Sequence, residues 1–228
     1  MCIYQKLTNS TKLTFKGHTS GVTSIDGLWI NDELTVVTSS SDSSIKLWRV
    51  KNVDESEFIE CFQTIDLKTG ICFAVKLIQL SDAGLLLAFA TDDDKIHFYG
   101  ENAANHFEKV EELIGHEDWV RGLDFIEDDN GDVLLASSSQ DSFIRLWRIS
   151  KRNSEEKQDI DELIQIEERT FTICNKKFAL SLESVLQGHE NWVYSVHWNR
   201  HPETKSLQLL SSSMDKSMLV YTYDREQE

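Results

Sequence analysis

The sequence is short of the residues that usually interrupt a chain. It holds 228 residues with a single proline, Pro202, and only 10 glycines. It also lacks positive charge. Lys and Arg number 23 against 39 Asp and Glu, a net charge of −16. That balance argues against direct binding to nucleic acid or to an anionic membrane, both of which need a basic surface. No run of 18 apolar residues exists, so no transmembrane helix is expected. The start, Met1 to Ser10, has no apolar core, and no signal peptide is expected from it. Four cysteines (Cys2, Cys61, Cys72, Cys174) lie far apart without a CxxC. They exclude a zinc site or a disulfide framework by spacing and read as thiols of a reducing compartment, the cytoplasm and also the nucleus. No GxxxxGK[ST], GxGxxG or HExxH string occurs, and His97, His106, His197 and His201 have no metal-ligand spacing, so neither cofactor nor metal is expected. What the chain does have is aromatic residues: six Trp, five Tyr and eleven Phe. Its length suffices for one large domain or two small ones with a real core.

Three segments repeat. Gly17-His18 leads to Ser41-Asp42 and on to Ile45-Lys-Leu-Trp48. Gly115-His116 leads to Gln140-Asp141 and Ile144-Arg-Leu-Trp147. Gly188-His189 leads to Met214-Asp215 and Met218-Leu-Val-Tyr221. The aromatic always falls six residues after the Asp, and the His-to-Asp gap is 24, 25 and 26 residues. A degenerate copy, Leu85 to Tyr99, keeps the Asp93-to-Tyr99 spacing but has Lys68-Thr-Gly-Ile in place of the Gly-His.

Between these landmarks the pattern is that of strands. Val22 to Leu28 and Val120 to Phe125 alternate imperfectly. Val133-Leu-Leu-Ala-Ser and Leu207-Gln-Leu-Leu-Ser are short apolar runs ending in hydroxyl clusters, and Ile45-Lys-Leu-Trp alternates cleanly. Period two with turn residues between predicts an all-β protein with little helix.

Four strands per copy at a period of roughly 40 to 50 residues resemble the WD40 repeat, whose four-stranded blades stack radially into a β-propeller. The resemblance covers residues 11–223. It implies an incomplete arc of about four blades: residues 1–16 as the end of a preceding blade, 17–66 as a repeat, 67–114 as the degenerate repeat, 115–187 as a repeat with a charged insertion at 150–179, and 188–228 as a repeat lacking its outer strand. Such an arc leaves two open flanks.

The resemblance also implies a polar tetrad in each blade: His18, Thr38, Asp42 and Trp48; His116, Ser137, Asp141 and Trp147; His189, Ser211 and Asp215 with Tyr221 replacing Trp. The trio of Ser, His and Asp imitates a hydrolase. Its recurrence in each copy, without a GxSxG elbow, points instead to structure. The degenerate repeat has Phe89 where the hydroxyl belongs, so packing alone is expected to hold it.

WD40 blades bind partners on the face that carries the Gly-His loops. There the chain places Gly21, Trp119 and Trp192, then Thr23, Arg121 and Tyr194, with Ser41, Asp92, Gln140 and Met214 before the turn Asp. Trp119, Arg121, Gln140, Trp192, Tyr194 and Met214 are therefore the candidate partner-binding residues, since Trp, Tyr and Arg dominate interface hot spots. The competing reading packs each Trp over its own loop. In the insertion, Lys151 to Glu162 reads as a loop, and Ile164 to Ile173 alternates as an edge hairpin or docking segment would.

The longer strings, such as Gly115 to Phe125 and Phe178 to Trp198, resemble one branch of the WD40 family: scaffold subunits of a complex that modifies tRNA wobble uridines. The resemblance implies a non-catalytic role with the other subunits of that complex as partners, and a place in the middle of the first of two propellers of a longer protein. The alternatives are another WD40 adaptor, such as a ubiquitin-ligase substrate receptor or signalling scaffold, and an enzyme, for which no site chemistry is visible.

Overall fold

The computed structural model describes residues 2–5, 11–53, 56–81, 83–152 and 169–223. All regular structure among them is antiparallel β. The chain divides into two compact units, Met1–Cys72 and Phe73–Glu228.

The first unit holds a two-stranded ribbon, β1 (Cys2–Gln5) and β2 (Thr11–Thr14). It also holds a four-stranded sheet, here the first sheet, of β3 (Val22–Ile30), β4 (Glu33–Ser40), β5 (Ser44–Val53) and β6 (Ser56–Asp66). Val36, Trp48 and Val50 form a small core there with Phe15, Leu34 and Ile59.

The second unit holds three sheets. The second sheet is β7 (Ala74–Leu80), β8 (Gly84–Ala90), β9 (Ile96–Glu101) and β10 (Phe107–Leu113). The third has β11 (Val120–Glu127), β12 (Val133–Ser139) and β13 (Ile144–Arg152), then β15 (Lys176–Leu186), with β14 (Arg169–Ile173) outermost. The fourth is β16 (Val193–Arg200), β17 (Leu207–Ser213) and β18 (Met218–Tyr223). Pro202 falls in the β16–β17 loop, where its missing N–H costs no ladder bond.

Within this unit the sheets pack face on face in chain order, the blade stacking of an open propeller arc. Leu86, Ala88, Ile96 and Phe98 of the second sheet share one core with Val120, Leu123, Val133 and Leu135 of the third. Leu134, Ala136, Ile144 and Leu146 on the other face of the third sheet share the next core with Val193, Val196, Trp198, Leu207 and Leu209 of the fourth.

The imperfect alternation of the inner strands has a physical cause. Strands β3, β11 and β16 each carry a β-bulge directly after their first residue, at Val22/Ser24, Val120/Gly122 and Val193/Ser195. The extra residue shifts the phase, so Val120 and Leu123, three apart, are both buried.

Two expectations are corrected. The extra chain of the third repeat does not begin at Ser150. Ser150 to Arg152 pair with Ala179 to Lys177 inside the sheet. The expected loop after Arg152 lies outside the described residues. Arg169 to Ile173 form a fifth strand whose Phe171 reaches Phe98 edge-on at 5.9 Å. Gly100 makes room for it, because a Cβ there would lie 2.6 Å from Ile173. Nor does packing alone hold the degenerate repeat. Thr91 Oγ1 donates to Asp93 Oδ1 at 2.6 Å, and His97 Nε2 meets Asp93 Oδ2 at 2.9 Å. The imidazole stacks on Phe89, centroids 5.0 Å apart. His97, on a strand of the blade itself, supplies the ring that the missing Gly-His loop would have brought.

Candidate protein-docking site

The same turn occurs three times, once in the first unit and twice in the second. In each, Asp42, Asp141 or Asp215 accepts a hydrogen bond from the amide two residues on, from Ser44, Phe143 or Ser217. The residue after the Asp takes the left-handed conformation, at Ser43, Ser142 and Lys216, and Asp94 does the same in the degenerate copy.

The same carboxylates reach back to the Gly-His loops. His18 Nδ1 is 3.0 Å from Asp42, His116 Nδ1 is 2.7 Å from Asp141, and His189 Nδ1 is 2.8 Å from Asp215. The other ring nitrogen of each His lies 2.8 Å from Thr38, Ser137 or Ser211. Trp48 and Trp147 donate their indole N–H to Thr38 and Ser137 at 2.8 and 3.0 Å. Those partners fix the polarity of the chain. The hydroxyl accepts from the indole and so donates to Nε2, leaving Nδ1–H to donate to the carboxylate. Tyr221 substitutes by donating to the Gln187 carbonyl at 3.3 Å.

Burial would raise the Asp42 and Asp141 carboxyls, but the bonds they accept outweigh it and both sit below the usual range. For Asp42 these bonds come from Ser44, the Thr19 amide and His18. For Asp141 they come from His116 and the Phe143 and Glu117 amides. Asp215 is lowered chiefly by Ser217, with His189 adding to it.

This arrangement accounts for the glycine of each Gly-His. A Cβ on Gly17 would lie 2.1 Å from Trp48 Cη2, and one on Gly115 would lie 3.2 Å from Trp147 Cη2. The same bonds commit the hydroxyl that a hydrolase triad would leave free to attack. Ser137 and Ser211 are buried, and the Ser137 hydroxyl is already committed at both ends.

In the second unit the candidate docking residues converge beside these turns. Trp119 stacks on Phe73 with centroids 5.1 Å apart and planes 29° apart. The Arg121 guanidinium lies 4.4 Å from the Phe73 ring and 5.9 Å from that of Tyr194. Tyr194 meets Trp192 edge-on at 6.4 Å, and its hydroxyl donates to Met214 Sδ at 3.7 Å. Trp119, Trp192, Tyr194 and Met214 are all exposed. Gln140 is tied in through its backbone, its N–H donating to the Trp119 carbonyl at 3.0 Å as Met214 does to Trp192 at 2.9 Å. Trp119 therefore packs across to the neighbouring sheet rather than over its own loop. The equivalent residues of the first unit make no aromatic surface: Thr23 is bound to Ser39 and to the Cys72 carbonyl.

Phe73 was missed because the degenerate repeat has no Gly-His from which to count. Counted by strand pairing instead, it occupies the position of Thr23, Arg121 and Tyr194. Carboxylates lie beside Trp119, whose amide donates to Asp118 Oδ1 at 2.7 Å. Burial first, then Asp118, Asp93, Asp141 and Asp92, push Asp94 above its usual value.

The family model described as "WD domain, G-beta repeat" matches residues 9–49, 107–148 and 180–222, more than half of the chain. The chain is 40% identical over 242 residues to Elongator complex protein 2 of Drosophila melanogaster, covering 96% of this chain and 30% of that protein. It is 39% identical over 202 residues to the Homo sapiens protein of that name, covering 84% and 24%. With the Schizosaccharomyces pombe one it shares 36% over 208 residues, covering 88% and 26%. The chain thus spans less than a third of the length of these relatives.

Proposed function

The chain belongs to the WD40 repeat family, and from that premise we propose that it is a non-catalytic protein-docking part of an Elongator-type subunit. In this reading it supports wobble-uridine modification of tRNA by holding other subunits. The similarity to Elongator complex protein 2 in several species supports the assignment. The observation that carries the docking role is the row formed by Trp119, Phe73, Arg121, Tyr194 and Met214. These large side chains are held against one another before any partner arrives, so little entropy is lost on binding. Arg and aromatic residues at the centre with carboxylates beside Trp119 suit a basic protein segment, and the charge of −16 repels an RNA backbone. The same reading places the chain in the cytoplasm with a nuclear fraction.

The test is affinity purification from cells with quantitative mass spectrometry, comparing the native chain with Arg121→Ala/Tyr194→Ala. Removing two such anchors should lower recovery of the other Elongator subunits by about tenfold or more. Unchanged recovery would sink the patch. Recovery of a cullin adaptor without Elongator subunits would sink the assignment.

A further inference from the structure

The third sheet has a packed sheet on each side. At its Gly-His end it differs from the other complete repeats at two positions, the residue five after the His and the residue before the turn Asp. In the first repeat these are Thr23 and Ser41. Thr23 bonds to Ser39 and to the Cys72 carbonyl, and the Ser41 hydroxyl donates to the Gly21 carbonyl at 3.1 Å. In the last repeat they are Tyr194 and Met214, which bond to each other. In the repeat between, they are Arg121 and Gln140. Both are half-buried, and among the described residues neither side chain has a hydrogen bond or an ion pair. Arg121 and Gln140 thus bring unused donors to a place where the other repeats satisfy theirs internally.

Arg121 is nonetheless held. The Phe73 ring lies 4.4 Å from its guanidinium and the Tyr194 ring 5.9 Å, one from the sheet on either side. A guanidinium held through its face keeps its in-plane N–H groups for another partner. The rings exclude water around it, which strengthens a charge-assisted bond. The planar fork matches a carboxylate, to which the Gln140 carboxamide adds a donor. Negative charge stands nearby on Asp118, beside Trp119, and on the Asp92-Asp93-Asp94 turn. It repels a free anion and attracts cationic side chains.

We propose that Arg121 and Gln140 receive one glutamate or aspartate side chain of the docking partner, carried in a segment otherwise rich in lysine and arginine. The carboxylate takes the guanidinium fork, and the flanking cations answer Asp118 and its neighbours. The proposal rests on the docking reading above and states what the docked segment must contain. A phosphorylated residue suits the site less, since it brings about two negative charges to a chain of net charge −16.

The test uses the full 228-residue chain on overlapping short peptides that tile the other Elongator subunits, with phosphorylated and free-carboxylate versions included. Fluorescence anisotropy then measures the peptides that are retained. The native chain should retain peptides in which a single Glu or Asp is flanked by Lys or Arg. Changing that acid to Gln should weaken binding about a hundredfold, because the guanidinium is left desolvated and unpaired. Arg121→Lys keeps the charge without the fork and should weaken binding about tenfold. Arg121→Glu should lose the original peptide and bind the same peptide with Lys in place of its acid, a swap that lost packing alone would not produce. Circular dichroism checks that the variants fold, as expected where no hydrogen bond is removed. Binding that is indifferent to the acid, or a swap that restores nothing, overturns the inference. So does selection of phosphorylated peptides or of a free terminal carboxylate. If the purification above recovers Elongator subunits yet no tiled peptide binds, the inference falls and the docking assignment stands. If it recovers none, the assignment itself has failed.

Discussion

Ser137, Ser138 and Ser139 are consecutive on β12 and all fully buried, yet the structure predicts opposite effects for removing the hydroxyls of the first two. Ser137 Oγ takes the Trp147 indole N–H at 3.0 Å and faces His116 Nε2 at 2.8 Å. Ser137→Ala removes both bonds and leaves a buried indole N–H and an imidazole nitrogen without partners. At about 1 kcal/mol per bond plus the stranded groups, the cost is about 2–4 kcal/mol. Ser138 Oγ has no hydrogen-bond partner among the described residues. Its desolvation is uncompensated, so Ser138→Ala should be neutral or stabilise by up to about 2 kcal/mol. For a chain of this length the first change corresponds to a melting point lower by roughly 5–15 °C, and the second to no fall. Urea unfolding followed by tryptophan fluorescence reads the difference directly. A Ser138→Ala midpoint that drops as far as that of Ser137→Ala would refute the reasoning, because burial alone would then decide the cost. Trp147→Phe should add little to Ser137→Ala, since both break the same bond.

Acid should unfold the chain through its turn carboxylates. Asp42, Asp141 and Asp215 have folded-state values below their ordinary 3.8, so their stabilisation is complete above that pH and is lost as pH falls through and below it. The gap in urea midpoint between native chain and Asp141→Asn should hold steady from pH 7 to about 5 and narrow below about 4; a gap that closes near pH 6 contradicts this. Gly17→Ala should destabilise by about 1–3 kcal/mol and alter tryptophan emission, because the added methyl overlaps the Trp48 ring at 2.1 Å; an unchanged melt counts against the close approach. Lys216 has a φ of 74°, and Lys216→Gly should gain up to about 1 kcal/mol in thermal denaturation.

Most of the fold was legible because its signals are local. The six-residue step from Asp to aromatic is one hairpin: the Asp shapes the turn and the aromatic lies at the fourth or fifth position of the returning strand. That hairpin recurs without reference to anything distant. The parts that were not legible depend on pairing across space. His97 does in the degenerate repeat what a Gly-His loop does in the others, but from a different strand. A search by position sees only a missing His. Phe73 escaped for the same reason. Trp119 and Tyr194 were legible as exposed aromatics because they follow a Gly-His at fixed distances. That Trp119 stacks across to the neighbouring sheet could not be read from spacing, since nothing local says which sheet a loop leans toward.

What sets that patch in place is a second row of residues on the same strands. Eight residues after the His lie Asp26, Asp124 and His197, and strand pairing puts Lys76 at the same position of the second sheet. In the second unit this row is bonded. Lys76 Nζ is 3.1 Å from Asp124 Oδ1, His197 Nδ1 is 3.0 Å from Oδ2, and the Trp198 amide donates to Oδ2 at 2.7 Å. Asp124 is buried and its bond from the Trp198 amide is shielded from water, while Lys76 is half-buried and His197 exposed, so the amide bond is the one where misalignment costs most. One carboxylate thereby fixes β7 and β16 against β11. Three residues earlier stand Phe73, just before β7, Arg121 on β11 and Tyr194 on β16. Their relative spacing follows from the register that Asp124 imposes. A surface assembled from three sheets needs such a lock, because a slide of one strand against the next would part the Arg121 guanidinium from the two rings that hold it. Rigidity and recognition here come from one strand, with the charge inside and the aromatics at its end.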